Sequence, residues 1–299
     1  MHPSLQSLTH FRRSSLAVAL GAAVASTILT GALLTGDSVQ GSLRDLTLER
    51  LGNIDQALVS SRFFREELAT ELKAAPLIVL QGTAVHGESG ARAAGVSIYG
   101  VDARFAEVYG ASLPEMTPGM FPPVLFNEPL HRELGVKEGD EILLSFERPG
   151  EIPRETLLGE KESDDMLATR RFTVRKVLPD RGLGRFGLVA HQTEPRTAFV
   201  SLKDLQLAAE QTGKVNAMVA REGAEVRASV RLEDLGLRLV RGDDHLSLES
   251  SEFFLDPSIA QEVGPATRIF TYLATGLRTE DRLLPYSMVS GISGLEVGD

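Results

Sequence analysis

The sequence feature that most constrains this chain is an uninterrupted apolar segment near its N-terminus, from Ser14 to Leu34. The segment carries no charged residue and directly follows Arg12 and Arg13. At a helical rise of about 1.5 Å per residue it would span roughly 30 Å, the thickness of the hydrocarbon core of a bilayer. We therefore expect residues 14–35 to form a transmembrane helix. Because clustered arginine stays on the cytoplasmic side, residues 1–13 are predicted to be a cytoplasmic tail.

A cleaved signal peptide is the alternative interpretation of the same segment. Ala23-Val24-Ala25 resembles a small-residue cleavage site, and the arginine pair resembles a weak twin-arginine signal. However, the apolar run continues past Ala25 to Leu34, which is longer than the core of a signal peptide. We favour a retained anchor in the cytoplasmic (inner) membrane, with residues 36–299 extracytoplasmic. A lipoprotein anchor is excluded, since the chain contains no cysteine to acylate.

The composition of the predicted transmembrane helix indicates a packed face. Only eight of its residues are Leu, Ile or Val, so its insertion into lipid is weakly favourable. Ala17, Gly21 and Ala25 recur one turn apart, and small residues in that arrangement let another helix backbone approach closely. We predict that this face packs against partner helices. A short alanine-rich anchor without partners would have the same composition.

The segment after the apolar run has the spacing of a helix. Val39, Leu43, Leu46 and Arg50 recur at intervals of three and four residues, and Gly52 stands where a helix C-terminus favours a left-handed residue. We therefore expect residues 36–52 to continue the transmembrane helix as a helical stalk. Such a stalk is either a passive spacer or a connection that transmits movement across the membrane boundary.

The remaining residues, 53–299, are predicted to form one acidic extracytoplasmic domain. Residues 37–299 contain all 41 acidic residues but only 29 of the 31 lysines and arginines, a formal charge of −12. This charge argues against nucleic acid as a partner, because nucleic-acid binding needs basic patches. Short β-like runs alternate with amphipathic helical stretches, which predicts a mixed α+β fold, that is, an α/β domain without repeats.

The predicted elements of this domain follow in chain order. Strands are expected at 57–60, 77–86, 94–101, 141–146, 172–178, 197–200, 216–220, 237–241 and 268–276. Helices are expected at 63–74, from Asp102 onward, and at 128–134, 202–211, 225–235 and 258–263. An irregular proline-rich connection is expected at 114–123, a turn at Gly139-Asp140, and a charged, flexible loop at 147–171.

The sequence contains no recognisable enzyme motif. It has no phosphate-binding G-x-x-x-x-G-K-[ST], and Gly182–Gly187, which has only the outline of G-x-G-x-x-G, is predicted to be a flexible loop. Ser287 and Ser290 lack the context of a nucleophile elbow. Adjacent residues in Asp243-Asp244-His245 point to different sides, so a solvated turn is favoured over a metal site. We therefore expect no catalytic, cofactor-binding or metal-binding residues.

The order of several short sequence motifs resembles that in a known protein family. Gly36-Asp37-Ser38-Val39 and Glu49-Arg50-Leu51-Gly52 follow the membrane helix, and Phe126–Leu130, Leu134–Asp140, Ala198–Leu202, Thr271-Tyr272-Leu273 and Pro285-Tyr286-Ser287 come after them in turn. This arrangement is similar to the N-terminal part of FtsX-like ABC transporter permeases with a MacB-type periplasmic core domain. The resemblance covers nearly the whole chain, although each motif alone is weak.

The resemblance implies a permease subunit that acts in export or extraction of a substrate. Its partners would be a cytoplasmic ABC ATPase, which hydrolyses ATP, further permease helices or a second permease subunit, and membrane lipid. Family members carry further membrane helices after the domain, whereas no apolar run of that length follows Leu34. We therefore expect an N-terminal fragment, truncated within the domain. The alternative is a membrane-anchored or secreted binding module without transport activity.

Overall fold

The computed structural model describes residues 12–117, 120–149, 167–188, 194–221, 230–242, 244–250, 259, 261, 266–279 and 282–292. The chain divides into two compact units, Met1–Gly236 and Leu237–Asp299. The first unit holds a long N-terminal helix and a mixed sheet with short helices, whereas the described part of the second consists of hairpins. The predicted α/β class is therefore confirmed.

Helix α1 runs without a break from Arg12 to Leu51, so the apolar segment and the stalk are one helix. It is the one helix among the described residues that is long and apolar enough to cross a membrane. The hydroxyls of Thr27, Thr35 and Thr47 each donate a hydrogen bond of 2.8–2.9 Å to the carbonyl four residues earlier. Because these bonds satisfy the hydroxyls within the helix itself, its surface becomes more compatible with an apolar surrounding.

Eight strands and four short helices follow in the described part of the first unit. In chain order they are β1 (Gln56–Arg65), α2 (Glu66–Glu71), β2 (Ala75–His86), β3 (Arg92–Val101), α3 (Ala103–Tyr109), β4 (Pro123–Asn127), α4 (Glu128–Leu134), β5 (Glu141–Glu147), β6 (Leu167–Leu178), β7 (Arg196–Ser201), α5 (Leu202–Ala208) and β8 (Lys214–Ala220). Two 3₁₀ turns, Gly182–Arg185 and Leu232–Leu235, complete the unit.

Six of these strands close into a ring. The order β2-β3-β7-β4-β6-β5 is completed by an antiparallel pairing of β5 with β2, in which Gly82 to His86 face Phe146 to Ile142. Two pairs in the ring, β3 with β7 and β4 with β6, are parallel. Strands β8 and β1 extend the sheet outward from the start of β2, so β1 is the outermost strand of the sheet.

Two buried clusters pack on the two sides of the strands, as the alternation of side chains requires. The larger cluster takes residues from every strand of the ring and from α2, α4 and α5, among them Ala84, Ile98, Phe126, Leu144, Phe172 and Ala198. The second cluster, called here the aromatic cluster, contains Tyr99, Phe105, Tyr109, Phe186 and Phe199 together with neighbouring aliphatic residues. Leu51, the last residue of α1, packs against the aromatic cluster.

The second unit contains two antiparallel hairpins in its described part. Strand β9 (Leu237–Arg241) pairs with β10 (Leu246–Ser250), and β11 (Ile269–Arg278) pairs with β12 (Leu283–Ile292). Asp244 and His245 lie in the exposed connection of the first hairpin. Asp243 lies outside the described residues.

Several predicted elements need correction. Phe63–Arg65 belong to β1 rather than to a helix, because Phe64 pairs with Val215 and is buried in the core. Residues 167–171 start β6 rather than ending a loop, since Phe146 and Leu144 pair with Ala168 and Arg170. The 182–187 segment is not an exposed flexible loop, because Leu183 and Phe186 are buried. Of the helix predicted at 225–235, residues 230–235 are described and contain only the 3₁₀ turn Leu232–Leu235, whereas the helix predicted at 258–263 lies outside the described residues except at 259 and 261.

Candidate functional site

The candidate site is the junction where α1 meets the sheet. The helix ends at Leu51 and is followed by Gly52, whose N–H donates to the carbonyl of Leu48 (3.1 Å) and whose φ of 58° is left-handed, as is usual just after a helix. Ile54 follows in a buried position, with only 6% of its surface exposed. The chain therefore passes from the stalk into the core within three residues, with no flexible linker between them.

Two glycines allow the stalk end and helix α3 to approach closely. The N–H of Asn53 donates to the carbonyl of Tyr109 (3.2 Å). A Cβ on Gly52 would lie 2.8 Å from that carbonyl oxygen, and a Cβ on Gly110 would lie 2.2 Å from Nδ2 of Asn53. Since real side chains do not tolerate such distances, the two backbones meet only because both positions lack a side chain.

An arginine joins the 3₁₀ turn to the stalk. Arg185 donates to both carboxylate oxygens of Asp180 (2.9 and 3.0 Å), and its remaining terminal nitrogen lies 3.4 Å from Glu49 on α1. These hydrogen bonds lower the pKa of Asp180 and raise that of Arg185. All three side chains are between a third and a half exposed, so the bonds position the stalk more than they stabilise the fold.

Tyr109 lies beneath the end of the stalk with an unpaired hydroxyl. Its side chain is buried, and its oxygen has no hydrogen-bond partner among the described residues. Burial, together with the negative charge of Glu49, raises the pKa of Tyr109 to about 12. A buried polar group without a partner costs about 1–3 kcal/mol. The fold therefore retains an unsatisfied hydroxyl at the point where α1 joins the sheet.

The other rings of the aromatic cluster pack against this tyrosine. Its ring packs against Phe105 at 5.8 Å and edge-on against Phe186 at 5.7 Å between ring centres. Phe186 in turn contacts Tyr99 and Phe199, so the rings form one continuous packed group. Aromatic pairs in these geometries each contribute about 0.5–1.5 kcal/mol beyond their buried area. The floor of the junction is therefore a densely packed group of rings.

Strand β8 also contributes to the junction. The N–H of Asp55 donates to the carbonyl of Ala220 (3.1 Å). The guanidinium of Arg221 donates to the carbonyls of Val108 (3.1 Å) and Glu107 (2.6 Å) at the end of α3. A cation at a helix C-terminus is favourable, since it binds the free carbonyls and complements the helix dipole. The stalk, α3 and β8 are thus fastened together at one point.

The residues that the sequence singled out lie along α1 and not at this junction. Ala17, Gly21 and Ala25 are exposed, as are Val39, Leu43 and Leu46, and only Arg50 becomes half-buried beside the sheet. Nothing lies within 4 Å of a Cβ placed on Gly21. Their roles in helix packing and in the stalk stay predictions. Of the residues at the junction, sequence reasoning noted Gly52 and missed Glu49, Tyr109 and Arg185 as a group.

Two polar groups elsewhere show little sign of chemistry. A hydrogen bond of 2.8 Å joins the His86 ring to the Ser89 hydroxyl, and the ring lies 3.4 Å from Asp140. Ser89 also accepts from the N–H of Ala91, as in an ordinary hairpin turn.

A surface cavity of about 600 Å³ beside α4 is lined by paired charges: Arg132 with Glu194, and Arg196 with Glu133. Within the described ranges, no group of three His, Asp or Glu residues is placed to hold a metal ion.

Comparison with known proteins finds structural neighbours only. No family model and no curated protein matches the sequence. The structure is similar to the extracellular domain of the noncanonic ABC-type transporter YknZ from Gram-positive bacteria, at 12% identity and a TM-score of 0.35, over 60% of this chain and 87% of that domain. It is also similar to the periplasmic region of MacB from Actinobacillus actinomycetemcomitans, at 12% identity and a TM-score of 0.33, over 68% of this chain and 84% of that region.

Both neighbours are outer domains of the kind that the sequence resemblance names. The identity is low in each case, so neither likeness bears on what this chain carries or binds.

Proposed function

We propose that this chain is the N-terminal portion of an ABC transporter permease subunit, in which movement of the membrane helix is passed to an extracytoplasmic domain. The observation that carries the proposal is the continuity of α1. One helix leads from the apolar segment to a junction where backbone hydrogen bonds, close glycine contacts and an ion pair hold it to the sheet. A shift or rotation of the helix would therefore act directly on the domain.

The resemblance supplies the rest of the proposal. ATP hydrolysis would take place in a separate cytoplasmic ABC ATPase, and this chain would itself not be an enzyme. Its α1 face at Ala17, Gly21 and Ala25 would pack against further permease helices or a second permease subunit. Residues 1–13 would lie in the cytoplasm, 14–35 in the cytoplasmic (inner) membrane, 36–52 in the stalk and 53–299 in the extracytoplasmic core domain. This domain would couple ATP-driven movement to the export or extraction of a substrate.

The first test is genetic. The nucleotide sequence beyond the codon for Asp299 and in neighbouring reading frames should encode three or more hydrophobic spans, or an ATPase with Walker motifs. The second test is biochemical. The full chain, tagged and purified in detergent from its native membrane, should bring down that ATPase with vanadate-sensitive ATP hydrolysis.

A topology measurement separates this proposal from the binding-module alternative. The natural chain has no cysteine, so a single introduced cysteine is the only site for a maleimide. A cysteine at exposed Glu88 should react with a membrane-impermeant maleimide from the outside, whereas one at His2 should react only after the membrane is opened. Correct topology with unrelated neighbouring genes and no ATPase would favour the anchored binding module. Loss of residues 1–25 from the mature chain would favour the signal peptide.

A further inference from the structure

Two groups at the end of the stalk can each donate a hydrogen bond to the Glu49 carboxylate. One is the Arg185 guanidinium, which lies 3.4 Å from Glu49, a long distance for an ion pair. The same guanidinium is also bound to Asp180. The other is the buried Tyr109 hydroxyl, which has no partner among the described residues. A phenol O–H donates strongly to a carboxylate, and bonds of this kind are about twice as strong as those between neutral groups.

The position of Glu49 on α1 brings it to the correct side of the helix. Glu49 precedes Gly52 by three residues, so both lie on one face of the helix. A Cβ on Gly52 would lie 2.9 Å from Cε2 and 3.0 Å from Cζ of Tyr109, which places the hydroxyl end of the ring directly under that face. A small rotation or axial shift of α1 therefore changes the distance from Glu49 to the hydroxyl.

Of the three groups, the Glu49 side chain is the least held by its surroundings. Tyr109 is fixed by Phe105 and Phe186, and Arg185 is held by two bonds to Asp180. Glu49 is by contrast nearly half exposed, and the described side chains that precede it on α1 are exposed as well. The two donor groups are thus held by their neighbours, and the more exposed Glu49 carboxylate, which accepts from either, is the member free to move.

We propose that the Glu49 carboxylate exchanges between Arg185 and the Tyr109 hydroxyl, and that this exchange defines two alternative arrangements of the stalk end against the sheet. In the arrangement seen in the structure, Glu49 is bound to Arg185 and the tyrosine hydroxyl is unpaired among the described residues. In the other, Glu49 accepts from Tyr109 and the guanidinium remains with Asp180. The inference deepens the proposed function, since it names the contact through which helix movement would reach the domain.

The test uses the full chain in detergent with tyrosines labelled at ¹³Cζ. The chain has only four tyrosines and no tryptophan, so Tyr109→Phe assigns the Tyr109 resonance by its loss. Arg185→Gln removes the competing partner, and the Tyr109 resonance should then move downfield, as it does when a phenol donates to a carboxylate. In the double variant Glu49→Gln/Arg185→Gln it should return toward its original position.

A matched control is Arg171→Gln, which removes an exposed pair with Glu141 far from the junction and should leave the resonance in place. If Arg185→Gln disturbs the fold, raising the salt concentration on the wild-type chain provides the same test, because it weakens the exposed pair with Arg185. An unchanged Tyr109 resonance, or an equal shift with and without Glu49, would overturn the exchange. Exchange without any ATPase partner would overturn only the proposed function, and a partner without exchange would overturn only this inference.

Discussion

The side-chain amide of Asn216 forms two hydrogen bonds with the backbone of Val79: its oxygen accepts from the Val79 N–H and its nitrogen donates to the Val79 carbonyl, each at 2.8 Å. Strand β8 pairs with β2 only from Ala75 to Leu77. At Val79, two residues beyond Leu77, the side-chain amide of Asn216 takes the place of a backbone peptide group. The side chain therefore continues the ladder where the two strands separate.

Asn216→Ala should destabilise the first unit by about 2 kcal/mol or more, because it leaves two backbone groups of Val79 without their partners. Urea unfolding of the solubilised chain, followed by circular dichroism, measures this loss. Gln81→Ala is the control, since it removes one side-chain bond, to Ser97, at an exposed position of the same strand. Equal losses in the two variants would show that the amide does not act as a replacement for the ladder.

Gly110→Ala should destabilise the junction by at least about 1 kcal/mol more than Gly135→Ala. Both glycines follow a helix with positive φ, 85° and 63°, so both substitutions carry the strain of a left-handed residue, about 1–2 kcal/mol. Only at Gly110 would the new Cβ also meet Asn53, whereas nothing lies within 4 Å at Gly135. The same unfolding experiment compares them, and equal effects would argue against close packing of α3 on the stalk end.

The stability of the first unit should fall in acid partly through Glu66. Burial acts to raise the pKa of Glu66, but hydrogen bonds from Arg104 and Gln206 outweigh it and the net pKa is lowered. A carboxyl with a lowered folded-state pKa contributes stability that is present above its unfolded-state pKa and lost as the pH falls through the folded-state value.

The measurement is urea unfolding from about pH 6 to about pH 3. Glu66→Gln should flatten the dependence of the unfolding free energy on pH, while Glu67→Gln, at the exposed neighbouring position of α2, should leave the wild-type slope. A wild-type slope in Glu66→Gln would mean that other carboxyl groups dominate.

Gly21→Leu should weaken association of α1 with partner helices if its small-residue face is an interface, since a bulky side chain would keep the backbones apart. Ala23→Leu is the matched control, because Ala23 is exposed and lies on the opposite side of the same helix, about 200° around the axis from Gly21. Copurification of permease partners or crosslinking in membranes provides the readout. Unchanged association in Gly21→Leu would remove that role from the face.

Local sequence signals predicted the elements that depend on local chemistry. Helix α4 has the predicted bounds, Glu128–Leu134, because Asn127 caps its start by accepting from the Leu130 N–H and Gly135 ends it in a left-handed conformation. Asp102 likewise caps α3. In these cases the residues that decide the structure are adjacent in sequence.

The junction and the start of β6 depend on distant residues, and sequence reasoning missed them for that reason. Arg170 is charged and suggested a loop, yet in β6 its guanidinium reaches Asp204 on α5 at 2.9 Å. Glu49 and Arg185 are far apart in the sequence, and no periodicity connects them. Tyr109 is distinguished from the other aromatic core residues by the close approach of Gly52 and by its unpaired hydroxyl, neither of which can be read from a sequence alone.

The closed ring of strands has a consequence for the order in which the chain folds. Val96 on β3 pairs with Arg196 on β7, and β7 is required to connect β3 with β4. During synthesis, the ring therefore cannot close until Ser201 has emerged. Until then, the preceding strands have unpaired edges. Long-range pairings of this kind slow folding and expose chains to aggregation. The early hairpins of this domain thus stay exposed to pairing with other chains until β7 has been synthesised.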